Sequence, residues 1–208
     1  MRELIKALES FKNSEIEELV NERIEEFHEI KTKSSDMIFK ELCFCIMTAN
    51  CDAQRCIEAH ENIGNGFLHF SQEELANAFK ENHYRFPNIR SKYISEAQHY
   101  IQDLESIIKS DMEENSLREW LVKNIKGLGY KEASHFLRNI GFKNYAIVDF
   151  HIVDVLVKYN LVKKPKTLTK KKYLEIEQLL TEIADKLDLN LAELDLYLWY
   201  METGKILK

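Results

Sequence analysis

Two glycines separated by one residue constrain the fold of this chain more than any other feature. Gly127 and Gly129 lie between two segments that carry apolar residues at helical spacing, in the stretch IKGLGYKEASHFLRNIG. Glycine lets a backbone turn tightly and approach another molecule closely. The pattern therefore predicts a helix-hairpin-helix, in which backbone N–H groups at the start of the second helix form a binding site for a phosphate.

Two residues with catalytic potential follow these glycines. Lys131 comes two positions after Gly129, and Asp149 lies in the sequence Val-Asp-Phe-His. An amine nucleophile beside a phosphate site, with a carboxylate nearby, suggests chemistry on a nucleic-acid sugar. A lysine is protonated near neutrality, so this role requires burial and the positive end of a helix to favour the neutral amine. Asp149 fits an N-cap, an anion that stabilises a cationic transition state, or both.

The composition favours an all-helical protein. The 208 residues include only two prolines and six glycines, and 45% are hydrophobic. The net charge of −6 is unusual for a DNA-binding protein, but the first thirty residues hold nine glutamates and only four basic residues. The stretch 121–143 carries five basic residues and a single glutamate. This is a local basic surface, which is a weaker indication of nucleic-acid binding than a basic domain.

Local signals place several helices. Residues 37–49 are apolar almost all round, which predicts a central buried helix, and apolar periodicity predicts one long helix over 94–108. Capping boxes are expected at the starts of three helices, and Gly141 fits a C-terminal cap. The three expected capping boxes are Ser71–Glu74, Ser116–Glu119 and Asn190–Glu193.

The motifs Gly-Leu-Gly-Tyr-Lys and Val-Asp-Phe-His resemble those of the helix-hairpin-helix DNA glycosylase superfamily. The short chain, with Trp199 near its end and a terminal Gly-Lys-Ile-Leu-Lys, is similar to the compact prokaryotic 8-oxoguanine DNA glycosylase/AP lyases, often called type two. This resemblance implies an all-α fold of two helical lobes with the active site in the cleft between them. Lobe one is expected over about 33–145, including the hairpin at 118–141, and lobe two over about 1–32 plus 146–208.

The resemblance also implies a reaction. The enzyme would flip 8-oxoguanine out of duplex DNA, release the base through a Schiff base on Lys131 with help from Asp149, and cut the abasic strand by β-elimination. Two alternatives remain open: the same mechanism on another oxidised base, and a helix-hairpin-helix module that binds DNA without chemistry. The absence of iron–sulfur cysteines and the Trp199-to-Lys208 tail count against the first, and Lys131 with Asp149 counts against the second.

Further site residues follow from the same resemblance or from local chemistry. The 83–90 loop mixes aromatic and cationic side chains, which can stack a base and hold a phosphate. Residues expected to bind the extruded base are Phe86, Trp199 and the carboxylate of Lys208, and those expected to contact DNA are Asn50 as a wedge, Arg85, Gly127, Gly129 and His151. The alternatives are an ordinary turn residue at Asn50, core aromatic residues at Phe86 and Trp199, and a frayed tail at Lys208.

The remaining expectations concern cofactors, partners and location. Relatives of the endonuclease III type carry an iron–sulfur cluster after the Asp-x-His element, but this chain has no cysteine after Cys56. We therefore expect no cofactor and no metal, and four free thiols in a reduced compartment. The expected partner is double-stranded DNA containing 8-oxoguanine, bound by a monomer. No apolar run is long enough for a bilayer, so we expect a cytoplasmic, nucleoid-associated protein without membrane contact.

Overall fold

The computed structural model describes residues 1–207, and Lys208 lies outside this range. The described chain consists of helices and contains no β-strand, which confirms the all-α prediction. Its helices are α1 (Arg2–Glu9), α2 (Glu15–Thr32), α3 (Ser35–Thr48), α4 (Ala53–Ile63), α5 (Gly66–His69), α6 (Gln72–Glu81), α7 (Pro87–Ala97), α8 (Ile101–Ile108), α9 (Glu114–Asn124), α10 (Tyr130–Asn139), α11 (Phe150–Lys158), α12 (Lys170–Leu187) and α13 (Leu191–Thr203). None of these helices has the length and apolar character required to cross a membrane.

The chain divides into two compact units. The first comprises Met1–Glu29 and the chain from Leu137 onward, and the second comprises Ile30–Phe136. The second division lies inside α10, earlier than the boundary near 145 that the sequence led us to expect. Arg138 accounts for this position, because it pairs with Asp195 Oδ2 at 3.2 Å and its guanidinium lies 4.6 Å from the ring of Phe27, and both partners belong to the first unit.

The second unit is built around α3. All apolar side chains of this helix from Ile38 to Met47 are fully buried, as the apolar run predicted. Helices α4, α5, α7 and α8 pack against α3, and α6 packs against α7. The expected long helix over 94–108 is wrong, because a 3-10 turn at Gln98–Tyr100 separates α7 from α8. At this turn the Gln98 side chain donates hydrogen bonds to the carbonyls of Phe67 and Phe70, both at 3.0 Å.

The first unit holds α11, α12 and α13 together with the N-terminal helices. Helix α13 packs against both α11 and α12, and α1 packs against α12. Helix α13 begins with the predicted capping box of Asn190 and Glu193, and α6 in the second unit begins with that of Ser71 and Glu74. The capping box expected at Ser116 is wrong, since α9 has already begun at Glu114 and its N-cap is Glu113.

Candidate functional site

The helix-hairpin-helix predicted from the glycines is formed by α9, the turn 125–129 and α10. Gly127 has φ +90°, and a Cβ atom at this position would lie 2.6 Å from the Tyr93 ring, so only glycine fits without displacing the ring. Leu128 is buried and anchors the turn. After α10, Gly141 has φ +89° and its N–H donates to the carbonyl of Arg138, which confirms the predicted C-terminal cap.

The backbone amide expected to bind a phosphate already has an anionic partner. The N–H of Gly129 donates to Oε2 of Glu132 at 3.1 Å, so the carboxylate caps the first turn of α10. A second carboxylate pairs with a side chain of the turn, since Lys126 Nζ lies 2.9 Å from Glu96 Oε2; the Lys126 side chain is exposed and that of Glu96 is half-buried. Two carboxylates of the chain itself, Glu132 and Glu96, thus contact the hairpin turn.

The first turn of α10, which carries Lys131, is fixed to α9 by Arg118. The Arg118 side chain is only 2% exposed, and its Nη1 donates to Ser134 Oγ at 3.2 Å. Its guanidinium lies 5.2 Å from the ring of Tyr130, and the Tyr130 hydroxyl hydrogen-bonds to Glu119. Residues on both sides of Lys131 are therefore held in place.

Lys131 is half-buried on the first turn of α10. Its charge acts on Cys56, which is fully buried in the first turn of α4. Burial raises the pKa of the Cys56 thiol, Cys51 and Asp52 raise it further, and the Lys131 ammonium lowers it. The predicted nucleophile and the turn that contains the predicted wedge, Asn50, both belong to the second unit.

Asp149 is the N-cap of α11. Its Oδ1 accepts a hydrogen bond from the backbone N–H of Ile152 at 2.9 Å, while Oδ2 has no hydrogen-bond partner within residues 1–207. The extended segment before it is held by the Tyr173 hydroxyl, which donates to the Ala146 carbonyl at 2.6 Å and accepts from the Val148 N–H at 3.2 Å. One carboxylate oxygen is thus fixed by the helix, and the other remains available to a ligand.

Two other predicted residues of the first unit contact each other. The His151 ring meets the Trp199 ring edge-on, with the centroids 4.9 Å apart and an interplanar angle of 73°. His151 is exposed and Trp199 is half-buried. The indole Nε1 of Trp199 is buried and has no hydrogen-bond partner in the described part of the chain. A buried indole N–H is normally paired, so this donor is suited to a ligand acceptor.

Asn50, Arg85 and Phe86 form one group in the second unit. The Arg85 guanidinium donates to the Asn50 carbonyl at 3.2 Å and lies 4.8 Å from the Phe86 ring centroid. Asn50 is exposed and has φ +57°, which an asparagine tolerates better than most residues. Phe86 is half-buried rather than part of the core. The last predicted site residue, Lys208, lies outside the described residues.

Sequence reasoning missed three residues that shape this site. Glu132 and Arg118 act on the hairpin as described above, and Arg90, which is 9% exposed, donates to the Ala49 carbonyl at 2.9 Å. The Glu132 contact had a detectable signal, because a glutamate three positions after an N-cap is half of a capping box. Arg90 had none, since its partner lies 41 residues earlier in the chain.

The cysteines do not form a metal centre in the described chain. Cys43, Cys45 and Cys56 are buried and Cys51 is half-buried, and all four are free thiols. No group of three or more His, Cys, Asp or Glu side chains within residues 1–207 is arranged to hold a metal ion.

Comparisons with known proteins identify the family of this chain. A family model described as 8-oxoguanine DNA glycosylase matches residues 20–189. An 8-oxoguanine DNA glycosylase/AP lyase of Korarchaeum cryptofilum is 49% identical over 207 residues, which cover 99% of this chain and 98% of the relative.

Solved structures agree with the sequence match. The Methanocaldococcus jannaschii 8-oxoguanine glycosylase/lyase, in complex with a 15mer DNA containing 8-oxoguanine, superposes with a TM-score of 0.96 at 48% identity and covers 99% of both chains. The 8-oxoguanine DNA glycosylase of Thermotoga maritima superposes with a TM-score of 0.93 at 40% identity over the full length of both chains. The chain therefore belongs to the helix-hairpin-helix 8-oxoguanine DNA glycosylase family.

Proposed function

We propose that this chain is a bifunctional DNA repair enzyme that excises 8-oxoguanine from duplex DNA and then cleaves the abasic strand. The observation that carries this proposal is the half-buried Lys131 on the first turn of α10, directly after the glycine hairpin, in a family of glycosylase/AP lyases. The proposal explains why a phosphate-binding element and an amine nucleophile occupy the same turn.

In the proposed reaction, the neutral amine of Lys131 attacks the anomeric carbon, C1′, of the damaged nucleotide. The C1′–N9 bond breaks, and the base leaves with the bonding electrons and takes up a proton. Positive charge develops on the sugar during this step, so we assign Asp149 to stabilise it through its unpaired Oδ2. The Lys131 adduct then opens to a Schiff base, loss of a C2′ proton expels the 3′ phosphate by β-elimination, and hydrolysis frees the lysine.

The base has to leave the duplex before this chemistry can occur, which costs a few kcal/mol. We assign Asn50 to fill the space that the base vacates, and Phe86 and Trp199 to stack on the extruded base. The buried Nε1 of Trp199 has no hydrogen-bond partner in the described chain, which supports a polar acceptor of the extruded base near that residue. The carboxylate role of Lys208 stays a prediction, because that residue lies outside the described chain.

The catalytic chemistry proposed here uses only amine and carboxylate groups. Neither step transfers electrons to or from a cofactor, and the sequence has no cysteine after Cys56, where endonuclease III-type relatives carry their cluster ligands. We therefore propose that the reaction needs neither an iron–sulfur cluster nor a metal ion. We also propose that its partner is double-stranded DNA containing 8-oxoguanine, bound by one copy of the chain.

A lesion panel tests the proposed function directly. Duplexes containing 8-oxoguanine, an oxidised pyrimidine, a pre-formed abasic site or no damage are incubated with the protein, with and without borohydride. We expect base release and a borohydride-trapped complex with 8-oxoguanine, trapping at the abasic site, and no reaction with undamaged DNA. Preferred release of the oxidised pyrimidine would reassign the substrate, and binding without any cleavage would leave a non-catalytic module.

The carboxylate on the hairpin amide leads to a prediction about DNA affinity. A phosphate that binds the Gly129 N–H has to replace Glu132, so removing the charge of Glu132 should favour DNA. Glutamine can retain the capping geometry while losing the charge. We expect Glu132→Gln to bind undamaged duplex about fivefold more tightly at low salt, as removing one unit charge about 4 Å from a phosphate in water would predict.

Fluorescence anisotropy at increasing salt measures this effect. The gain should diminish as salt screens the charge. Glu73→Gln, which removes an exposed carboxylate from α6, is the matched control and should leave the affinity unchanged. Equal or weaker binding by Glu132→Gln would mean that the phosphate does not replace this carboxylate.

A further inference from the structure

The end of α3 is capped by side chains from a distant segment. The last carbonyls of a helix have no partners within that helix and need donors from elsewhere. The Met47 carbonyl accepts from the Tyr84 hydroxyl at 2.6 Å, and those of Ala49 and Asn50 accept from Arg90 and Arg85 as described above. All three donors come from residues 84–90, which form the end of a loop and the first turn of α7, and the Met47 carbonyl also accepts from the Cys56 thiol at 3.5 Å. The segment 84–90 therefore supports the end of α3 and the turn that follows it.

The turn needs this support because of its backbone conformation. Asn50 has φ +57°, a left-handed conformation that asparagine adopts more readily than most residues with a Cβ atom but that is still less favourable than a negative φ. Such a conformation persists where the surrounding contacts determine it. The two arginine hydrogen bonds, to the carbonyls of Ala49 and Asn50 itself, lie on either side of the strained φ angle.

The same two guanidinium groups also hold Phe86. The Arg85 guanidinium lies 4.8 Å and that of Arg90 5.7 Å from the centre of the Phe86 ring. Cations at these distances from a ring are attracted to its electrons. One pair of side chains therefore fixes both the turn that carries Asn50 and the aromatic ring of the neighbouring loop.

Arg90 is buried and makes only these internal contacts, whereas Arg85 is exposed and accessible to DNA. Arg90 is 9% exposed, and its guanidinium also lies 5.8 Å from the Tyr93 ring. It makes no ion pair with a carboxylate within the described residues. One hydrogen bond, to the Ala49 carbonyl, and the two aromatic rings face its charge, while its buried Nε has no hydrogen-bond partner in the described chain. A side chain this deeply buried is poorly placed to bind a phosphate in the proposed complex.

We infer that Arg90, assisted by Arg85, is a positioning residue. It holds the Asn50 turn and the Phe86 ring in the relative position that base extrusion requires. This inference rests on the proposed function, because it requires Asn50 and Phe86 to act on the extruded nucleotide. Extrusion needs the wedge and the stacking ring in place at the same moment. A pre-formed abasic site has no base to extrude, so its cleavage should depend much less on the relative position of the Asn50 turn and the Phe86 ring.

The test separates base release from strand cleavage. We measure single-turnover release of 8-oxoguanine and cleavage of a pre-formed abasic site by the full chain, and we follow extrusion with 2-aminopurine placed beside the lesion. Arg90→Met keeps most of the length of the side chain but loses its charge and its hydrogen bond to the Ala49 carbonyl. We expect it to lower base release about tenfold, the usual effect of losing a hydrogen bond from a charged group, and abasic-site cleavage by less than about threefold.

Two further variants complete the design. Arg90→Lys retains a donor and a cation, so it should restore part of the base release and of the fluorescence change. Arg85→Met replaces an exposed side chain, so the substitution should not impair folding. We expect it to lower base release more than abasic-site cleavage, as Arg90→Met does, but by a smaller factor. Arg2→Gln, a charge change on an exposed residue of α1, is the control and should match the wild type in both assays.

The outcomes distinguish this inference from the proposed function. Wild-type protein that cleaves neither substrate would refute the proposed function. Active wild-type protein, with Arg90→Met unaffected or equally impaired on both substrates at an unchanged melting temperature, would overturn the positioning role. If Arg90→Met does not fold, Arg85→Met decides, with its affinity for undamaged duplex measured alongside. Selective loss of base release at unchanged affinity supports the role, and equal loss, no loss or a loss that follows the affinity overturns it.

Discussion

Replacing Lys131 with glutamine should abolish the covalent complex that borohydride traps on 8-oxoguanine duplex DNA. Only an amine can form the Schiff base that borohydride reduces, and the glutamine amide is not a nucleophile at neutral pH. The substitution keeps most of the side-chain length, so the half-buried position on the first turn of α10 stays filled. We expect trapping to fall to background and base release to fall at least about a hundredfold, as is usual for a catalytic side chain.

Gel electrophoresis of the trapped complex measures the first effect, and single-turnover kinetics the second. Lys123→Gln is a matched control, because Lys123 is an exposed lysine on the last turn of α9 and has no assigned role. DNA binding by Lys131→Gln should persist, which separates a lost nucleophile from a lost fold. A trapped complex with the Lys131→Gln protein would assign the Schiff base to another amine.

The helices were predictable where their signals are local. The capping boxes at Ser71 and Asn190 lie within four residues of sequence, and both form as predicted. The same spacing misled at Ser116, because a serine and a glutamate three residues apart also occur side by side within a helix. A local pattern identifies a helix end only when the preceding residues cannot extend the helix.

Residues of the candidate site were likewise predictable only where their signal is local in the sequence. Gly127 could be identified from sequence because its backbone conformation excludes other residues, and the structure confirms this requirement with φ +90° and the Tyr93 ring directly against it. Arg90 could not be identified, since its role depends on contacts with Ala49 and Phe86 that only the folded chain creates. The packing of α3 against α7 brings these segments together.

Replacing Asp149 with asparagine should slow base release while leaving DNA binding intact. Asparagine is as good an N-cap as aspartate, so the hydrogen bond to the Ile152 N–H and the start of α11 should survive. The negative charge is lost, and with it the proposed stabilisation of the positively charged sugar. Removing a single electrostatic contact to a transition state typically costs about 10²–10³ in rate, so we expect the base-release rate to fall within that range.

The size of this effect distinguishes a catalytic charge from a structural cap. Asp154→Asn removes the same charge from the same helix, at a well-exposed carboxylate paired with Lys164, and such surface pairs contribute little to stability. The control should therefore release the base at the wild-type rate. If Asp149→Asn matches that control, then Asp149 serves as an N-cap alone and another group has to stabilise the sugar. If Asp149→Asn is slow but Asp149→Ala also loses DNA binding, then Asp149 both caps α11 and supplies the charge.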